Sequence, residues 1–111
     1  DMNYRRIFWT INLVYSTNAS QLADICTDIE NYINNSENFT KNPGQENFVK
    51  VTELGASSID LTILCYMNVI TYTEFSQVKQ ELIFKIMSAV ETHKSDFAFP
   101  SRSIYIENQD T

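Results

Sequence analysis

The single histidine of the sequence, His93, is the first side chain to weigh for acid–base or metal chemistry. Lys94 follows it directly, and no set of Cys, Asp or Glu at metal-ligand spacing accompanies it. Cys26 and Cys65 each stand inside an apolar pattern, which is typical of buried free thiols. The sequence therefore predicts no metal site, no cofactor and no catalytic residue.

A small hydrolase of acylphosphatase-like shape is one enzyme to consider for a chain of this size. Such an enzyme needs backbone amides and an Arg near the first turn, where they neutralise charge on the reacting oxygens. The turn at Ser16–Ser20 contains neither Gly nor Arg, while Arg5 and Arg6 precede the first strand and Arg102 precedes the last. We therefore expect that the chain is not an enzyme.

The charge balance bears on possible partners. Eight Lys and Arg against 14 Asp and Glu give a formal net charge of -6, which repels phosphate backbones and anionic membrane surfaces. Nucleic acid is therefore an unfavourable partner. The helical carboxylates lie mostly off the apolar stripes, where we interpret them as solvating a surface: Asp24, Asp28, Glu30, Glu74, Glu81 and Glu91.

The first half of the chain changes period once. Apolar residues alternate from Arg5 to Tyr15, which predicts a strand. Between about 18 and 35 they follow helical spacing, and Asn18 with Gln21 forms a capping-box pair, although Thr17 could cap instead. Residues 34–47 are polar and include a Pro-Gly dipeptide, which predicts an exposed loop.

The second half predicts a hairpin, a helix and a last strand. Strands at Phe48–Leu54 and from Ile59 to Met67 flank a short turn, and a capping box at Thr71 and Glu74 opens a helix that ends near His93. A brief strand follows around 104–106. The order β-α-β-β-α-β predicts a ferredoxin-like α+β fold, with both helices on one face of a four-stranded antiparallel sheet.

This fold hosts several functions, so the surface must discriminate among them. An RNA-binding sheet would present aromatic residues in a basic surround, yet the expected open face of the third strand carries Asp60, Thr62, Leu64 and Tyr66, with Glu53 nearby. A regulatory module that binds a small metabolite at a dimer interface leaves little trace in sequence, and it stays open as an alternative.

Three stretches then occur in a fixed order along nearly the whole chain. They are Arg6–Thr17 (RIFWTINLVYST) followed by Gln21-Leu22, then Val51–Leu61 (VTELGASSIDL), and finally Phe97–Glu107 (FAFPSRSIYIE). Together they resemble the carboxy-terminal cytoplasmic domain of the small-conductance (MscS-type) mechanosensitive ion channels. The sequence departs from that family at Ala56, where many members carry Asp, and in its longer and more polar loop.

The resemblance implies that residues 1–111 form one cytoplasmic domain of a channel whose membrane helices and upstream β domain lie outside this sequence. It implies a homo-oligomer, typically a heptamer, on the cytoplasmic side of the bacterial inner membrane, through which ions and small osmolytes pass. The last strand, about Ser103 to Glu107, would join its counterparts in a barrel. The expected subunit interface comprises Phe99, Pro100, Arg102, Ile104, Tyr105 and Ile106.

Overall fold

The computed structural model describes residues 4–68 and 72–98, which form an α+β domain. The elements in chain order are β1 (Tyr4–Leu13), α1 (Ala19–Asn35), β2 (Phe48–Leu54), β3 (Ile59–Asn68) and α2 (Tyr72–Thr92). Within these residues the sheet is antiparallel and three-stranded, in the order β1-β3-β2. The predicted last strand lies outside the described residues, so the full ferredoxin-like order and the barrel strand stay predictions.

The core lies between one face of the sheet and the two helices. Every second residue of the central strand β3 is buried, because alternate side chains of a strand point to the same face. Four of those residues, Leu61, Ile63, Cys65 and Met67, join the buried stripes of both helices in a single apolar cluster. The helical members of the cluster are Ile25, Ile29, Ile33, Val78, Leu82, Ile86, Ala89 and Val90.

Strand β1 is shorter than its apolar alternation predicts. It ends at Leu13 because Thr17 closes a turn on Val14, whose carbonyl accepts from the Thr17 amide at 3.1 Å and from its hydroxyl at 2.7 Å. Tyr15 is therefore outside the strand, and its hydroxyl donates to the Gly55 carbonyl in the β2–β3 turn.

Helix α1 begins with the predicted capping box. The Asn18 side chain accepts from the Gln21 amide and the Gln21 side chain accepts from the Asn18 amide, both at 2.8 Å. Two amides of the first turn are thereby satisfied reciprocally, and Asn18 rather than Thr17 is the cap.

Helix α2 ends in a Schellman motif. Lys94 has φ of 65°, the left-handed conformation, and its amide donates to Glu91 while the Ser95 amide donates to Val90. Glycine is the usual residue at this position, so Lys94 occupies it at a conformational cost. The predicted capping residue at the other end, Thr71, lies outside the described residues.

The loop between α1 and β2 is less exposed than its polar composition predicts. Phe39 is buried and bridges to Met67, while the amide of buried Thr40 donates to the Tyr66 carbonyl at 2.9 Å. The loop thus extends the sheet beside the end of β3, and one aromatic residue in a polar run belongs to the core.

Candidate functional site

The six residues expected at a subunit interface all lie beyond Ala98, outside the described residues. The structure does describe the chain that leads to them. Residues 96–98 run antiparallel to the end of β1: the Val14 amide donates to Asp96 at 3.0 Å, and the Ala98 amide donates to Asn12 at 2.8 Å. Between these bonds Phe97 stands opposite Leu13. The last described residues therefore lie along the outer edge of β1.

Among the described residues, this outer edge of β1 is an unpaired strand edge over most of its length. One side of β1 bonds to β3 from Tyr4 to Leu13. In the described part of the chain, nothing beyond residues 96–98 pairs with its other side. Because alternate residues of a strand direct their backbone groups to the same side, the groups of Thr10, Phe8 and Arg6 face outward. Such an edge is a template for another strand.

An apolar groove lies beside this edge, between β1 and α2. Its volume is about 370 Å³. Ile83 and Met87 on its helical wall are 38% and 51% exposed, a high fraction for large apolar side chains. The residues that line the groove are Trp9, Ile11, Lys79, Ile83, Ile86, Met87 and Phe97. Its apolar character suits an apolar side chain rather than a charged metabolite.

Cations stack on aromatic rings at the start of β1. The Arg5 guanidinium lies 4.6 Å from the centre of the Phe75 ring, and the Lys79 ammonium lies 5.8 Å from the same ring. Arg6 stacks on Phe8 at 5.2 Å. Cation–π contacts of this kind stabilise an exposed site by about 0.5–1 kcal/mol each. They also place positive charge on an open edge, which disfavours unspecific strand pairing.

His93 has a partner that sequence spacing did not reveal. Its Nε2 lies 2.6 Å from Oδ2 of Asp28, and its Nδ1 lies 3.9 Å from Oδ2 of Asp24. The side chain of Gln21 donates to the His93 carbonyl at 2.7 Å. This polar cluster joins the first half of α1 to the end of α2. In residues 4–68 and 72–98, no group of His, Cys, Asp or Glu could hold a metal ion.

Asp24 and Asp28 therefore do more than solvate a helix face. They are four residues apart, so they share one side of α1, and that side meets the end of α2 at His93. The spacing of the two aspartates was visible in the sequence, but Asp28 and His93 are 65 positions apart, so the contact was not.

Both cysteines are free, as their apolar surroundings predict. Burial raises the pKa of the Cys65 thiol to about 12, and burial is also the main cause that raises the pKa of Cys26. A thiol that keeps its proton is a poor nucleophile and a poor metal ligand.

The face of the sheet away from the helices carries aromatic side chains from all three strands, whereas the sequence indicated only Tyr66 of the third strand. Phe8 and Phe48 both pair with Leu64, so the three form an apolar row across the strands, with Phe8 57% and Phe48 37% exposed. The alternation of β1 and β2 contained this signal. At the other end of the face, Asp60 accepts from the Asn12 side chain at 2.6 Å and from Ser58 at 3.0 Å.

Neither α1 nor α2, the helices of the described residues, combines the length and the apolar character that a membrane span requires.

Comparison with known proteins identifies the family. Residues 7–97 match the sequence model described as "Mechanosensitive ion channel MscS, C-terminal". An uncharacterized MscS family protein of Aquifex aeolicus is 36% identical over 105 residues, which are 95% of this chain and 28% of that protein. The low conductance mechanosensitive channel YnaI of Escherichia coli is 28% identical over 107 residues, which are 96% of this chain and 30% of that protein.

Solved structures share the fold. The cryo-EM structure of Arabidopsis thaliana MSL1 has a TM-score of 0.77 at 15% identity, over 87% of this chain and 34% of that chain. The crystal structure of Helicobacter pylori MscS in the closed state has a TM-score of 0.63 at 23% identity, over 86% of this chain and 35% of that chain. The chain thus spans about a third of these proteins, and it belongs to the MscS family of mechanosensitive channels, whose C-terminal domain it contains.

Proposed function

We propose that this domain is a wall and assembly segment of a mechanosensitive channel that releases ions and small osmolytes under membrane tension. The observation that carries the proposal is the match of residues 7–97 to the C-terminal domain of that family. In this proposal the domain lies on the cytoplasmic side of the bacterial inner membrane. Tension sensing and gating belong to parts of the channel other than these residues.

The domain contributes to a ring of identical subunits, for which we expect seven copies. The features that favour assembly are the unpaired edge of β1, the exposed apolar row of Phe8 and Phe48, and the interface expected beyond Ala98. An unpaired edge and an apolar patch on a sheet face are both surfaces that a neighbouring subunit can cover.

The register beside β1 supports a last strand that pairs away from its own domain. Phe97 stands opposite Leu13, so a continued antiparallel ladder would set residue 100 opposite Thr10. The Ala98 amide already donates to β1, and the next amide on that side would belong to residue 100. Residue 100 is Pro, which has no amide hydrogen to donate. The ladder therefore loses a bond there, and strand 103–107 is free for the barrel.

The domain performs no catalysis in this proposal. Its thiols are held in the protonated form by burial, since desolvation raises the pKa of both Cys26 and Cys65. His93 is engaged with Asp28 in a contact between helices rather than directed into the apolar groove. In this proposal the thiols and His93 stabilise the fold of the domain and do not react with a substrate.

The test is a charge placed in the last strand. In the full-length channel, Ile104→Asp or Ile106→Asp is expected to abolish the assembled ring, because burying an unpaired carboxylate costs several kcal/mol at each subunit. Mass measurement of the detergent-solubilised channel reports the number of subunits, and recordings from membrane patches report tension-activated current.

Asn108→Asp is the matched control, since it adds the same charge beyond the strand. The 111-residue chain with either Ile substitution should keep the helical and sheet signal of the parent by circular dichroism. Normal assembly and current with Asp at both positions would remove the last strand from the interface and overturn the proposal.

A further inference from the structure

We propose that the side chain of Phe99 docks into the apolar groove between β1 and α2 of its own subunit and anchors the departing C-terminal segment. Phe99 would then contact its own subunit, whereas the resemblance to the family implies a place for it at the subunit interface. Ring assembly through the last strand does not depend on this contact. It assigns an occupant to a groove that, within the described residues, has no occupant.

The register gives the position of Phe99. Phe97 faces Leu13, and the same antiparallel pairing sets residue 99 opposite Ile11. Cross-strand partners point to the same face of a sheet. Leu13 and Ile11 both point toward the helices, Leu13 into the core and Ile11 into the groove. A side chain at position 99 is therefore directed into the groove.

Two hydrogen bonds hold residues 96–98 beside β1, in the position that this direction of the Phe99 side chain requires. The bonds from Val14 to Asp96 and from Ala98 to Asn12 flank Phe97, so the segment is fixed against β1 up to the residue before Phe99. Pro100 has no amide hydrogen, so a continued ladder would lose a bond at that residue. In the proposed arrangement the pairing therefore extends one residue beyond Ala98.

The groove is large enough for a Phe side chain and has the apolar lining that such a side chain requires. Its volume is about 370 Å³, and its walls carry Trp9 and Ile11 on one side and Ile83 and Met87 on the other. Met adapts to an aromatic ring and makes favourable sulfur–ring contacts. Lys79 can cover the groove with its aliphatic stem while its ammonium stays beside the Phe75 ring.

The chain's own segment has an advantage over a second copy as the occupant. Ala98, which is half-buried, lies one peptide bond from Phe99 and is already bonded to β1. A tethered side chain meets its site at a high effective concentration, without the translational entropy that a second copy would lose.

A cysteine pair tests the position. Ile11 and residue 99 would form a pair without mutual hydrogen bonds, the closer of the two antiparallel arrangements, with Cα atoms about 4.5 Å apart. That distance lies within the range of disulfides. The 111-residue chain with Ile11→Cys and Phe99→Cys is therefore expected to form an intramolecular disulfide under mild oxidation, read by mass spectrometry of a protease digest.

Two controls fix the interpretation. Thr10→Cys with Phe99→Cys places the first thiol on the opposite face and should not cross-link, and Phe99→Cys alone reports any exchange with the native thiols. A disulfide between two chains would assign the groove to a second copy and overturn the proposal. The absence of any 11–99 disulfide would also overturn it.

The emission of Trp9, the single tryptophan, tests the docking itself. Phe99→Ala should open the groove to water, which shifts the emission to longer wavelength and lowers the unfolding midpoint by roughly 5 °C or more. Phe99→Leu should keep most of both properties, and Ser101→Ala should change neither. Identical emission and midpoint for Phe99→Ala and the parent would exclude the docked side chain.

Discussion

At Lys94 we expect Gly to stabilise the protein more than Ala does, which reverses the usual order of these two residues at a helix. It is the left-handed residue of the Schellman motif that ends α2, with φ of 65°. A residue with a Cβ pays about 1–2 kcal/mol in this conformation, and Gly pays none. Gly also gains about 0.4–1 kcal/mol of extra freedom in the unfolded chain, which offsets part of that relief.

The comparison of Lys94→Gly with Lys94→Ala isolates the backbone effect. Both variants remove the same positive charge, whose interaction with the helix end is about 0.3–1 kcal/mol. The Gly variant should therefore exceed the Ala variant in free energy of unfolding by about 1 kcal/mol, although Ala is the better helix former. Urea unfolding followed by circular dichroism at 222 nm measures the difference.

The difference between the Gly and Ala variants is also large enough to measure by thermal unfolding. A difference of about 1 kcal/mol corresponds to roughly 4 °C or more in the unfolding midpoint for a domain of this length. An Ala variant as stable as the Gly variant would show that Lys94 bears no left-handed penalty, and the assignment of the motif as strained would be wrong.

Two further predictions concern the core. Leu82→Ala should lower the free energy of unfolding by about 2–5 kcal/mol in urea titrations, because Leu82 is fully buried and its truncation leaves a cavity; a loss below about 1 kcal/mol would place it at the surface. Burial raises the pKa of the Cys65 thiol in the folded state to about 12, from an ordinary pKa of 9.0. The contribution of the protonated thiol to the free energy of unfolding is therefore complete below pH 9. It is lost as the pH rises toward 12, by up to about 1.4 kcal/mol per pH unit. Cys65→Ala should remove that part of the slope, and an unchanged slope would contradict the assignment.

Local patterns in the sequence predicted the elements well because the interactions that specify them are local. The capping box of Asn18 and Gln21 and the alternation of β3 both follow from neighbours within a few residues. The turn chemistry of Thr17 shortened β1 by two residues from the predicted end, since a hydroxyl bond to Val14 outweighs apolar alternation.

Contacts between distant parts of the chain were beyond that reasoning. The partner of His93 is 65 residues away on another helix, so neither helix alone indicates it. Phe39 lies in a polar run of the sequence, and its pairing with Met67 at the end of β3 was not indicated by its neighbours. The groove beside β1 could be located only from the strand order β1-β3-β2, which places β1 at an edge of the sheet that residues 4–68 and 72–98 form.

The placement of β1 has a mechanical consequence. The described chain starts at Tyr4, at one end of this strand, and its last hydrogen-bonded residue, Ala98, lies beside Asn12 near the other end. Eight residues of strand separate those points by roughly 27 Å. A pull that separates the two points is directed along β1 and loads in shear the two hydrogen bonds that hold residues 96–98 beside this strand. Resistance to such a pull therefore depends on the chain at the end of β1, from Asn12 to Val14, where residues 96–98 are bonded.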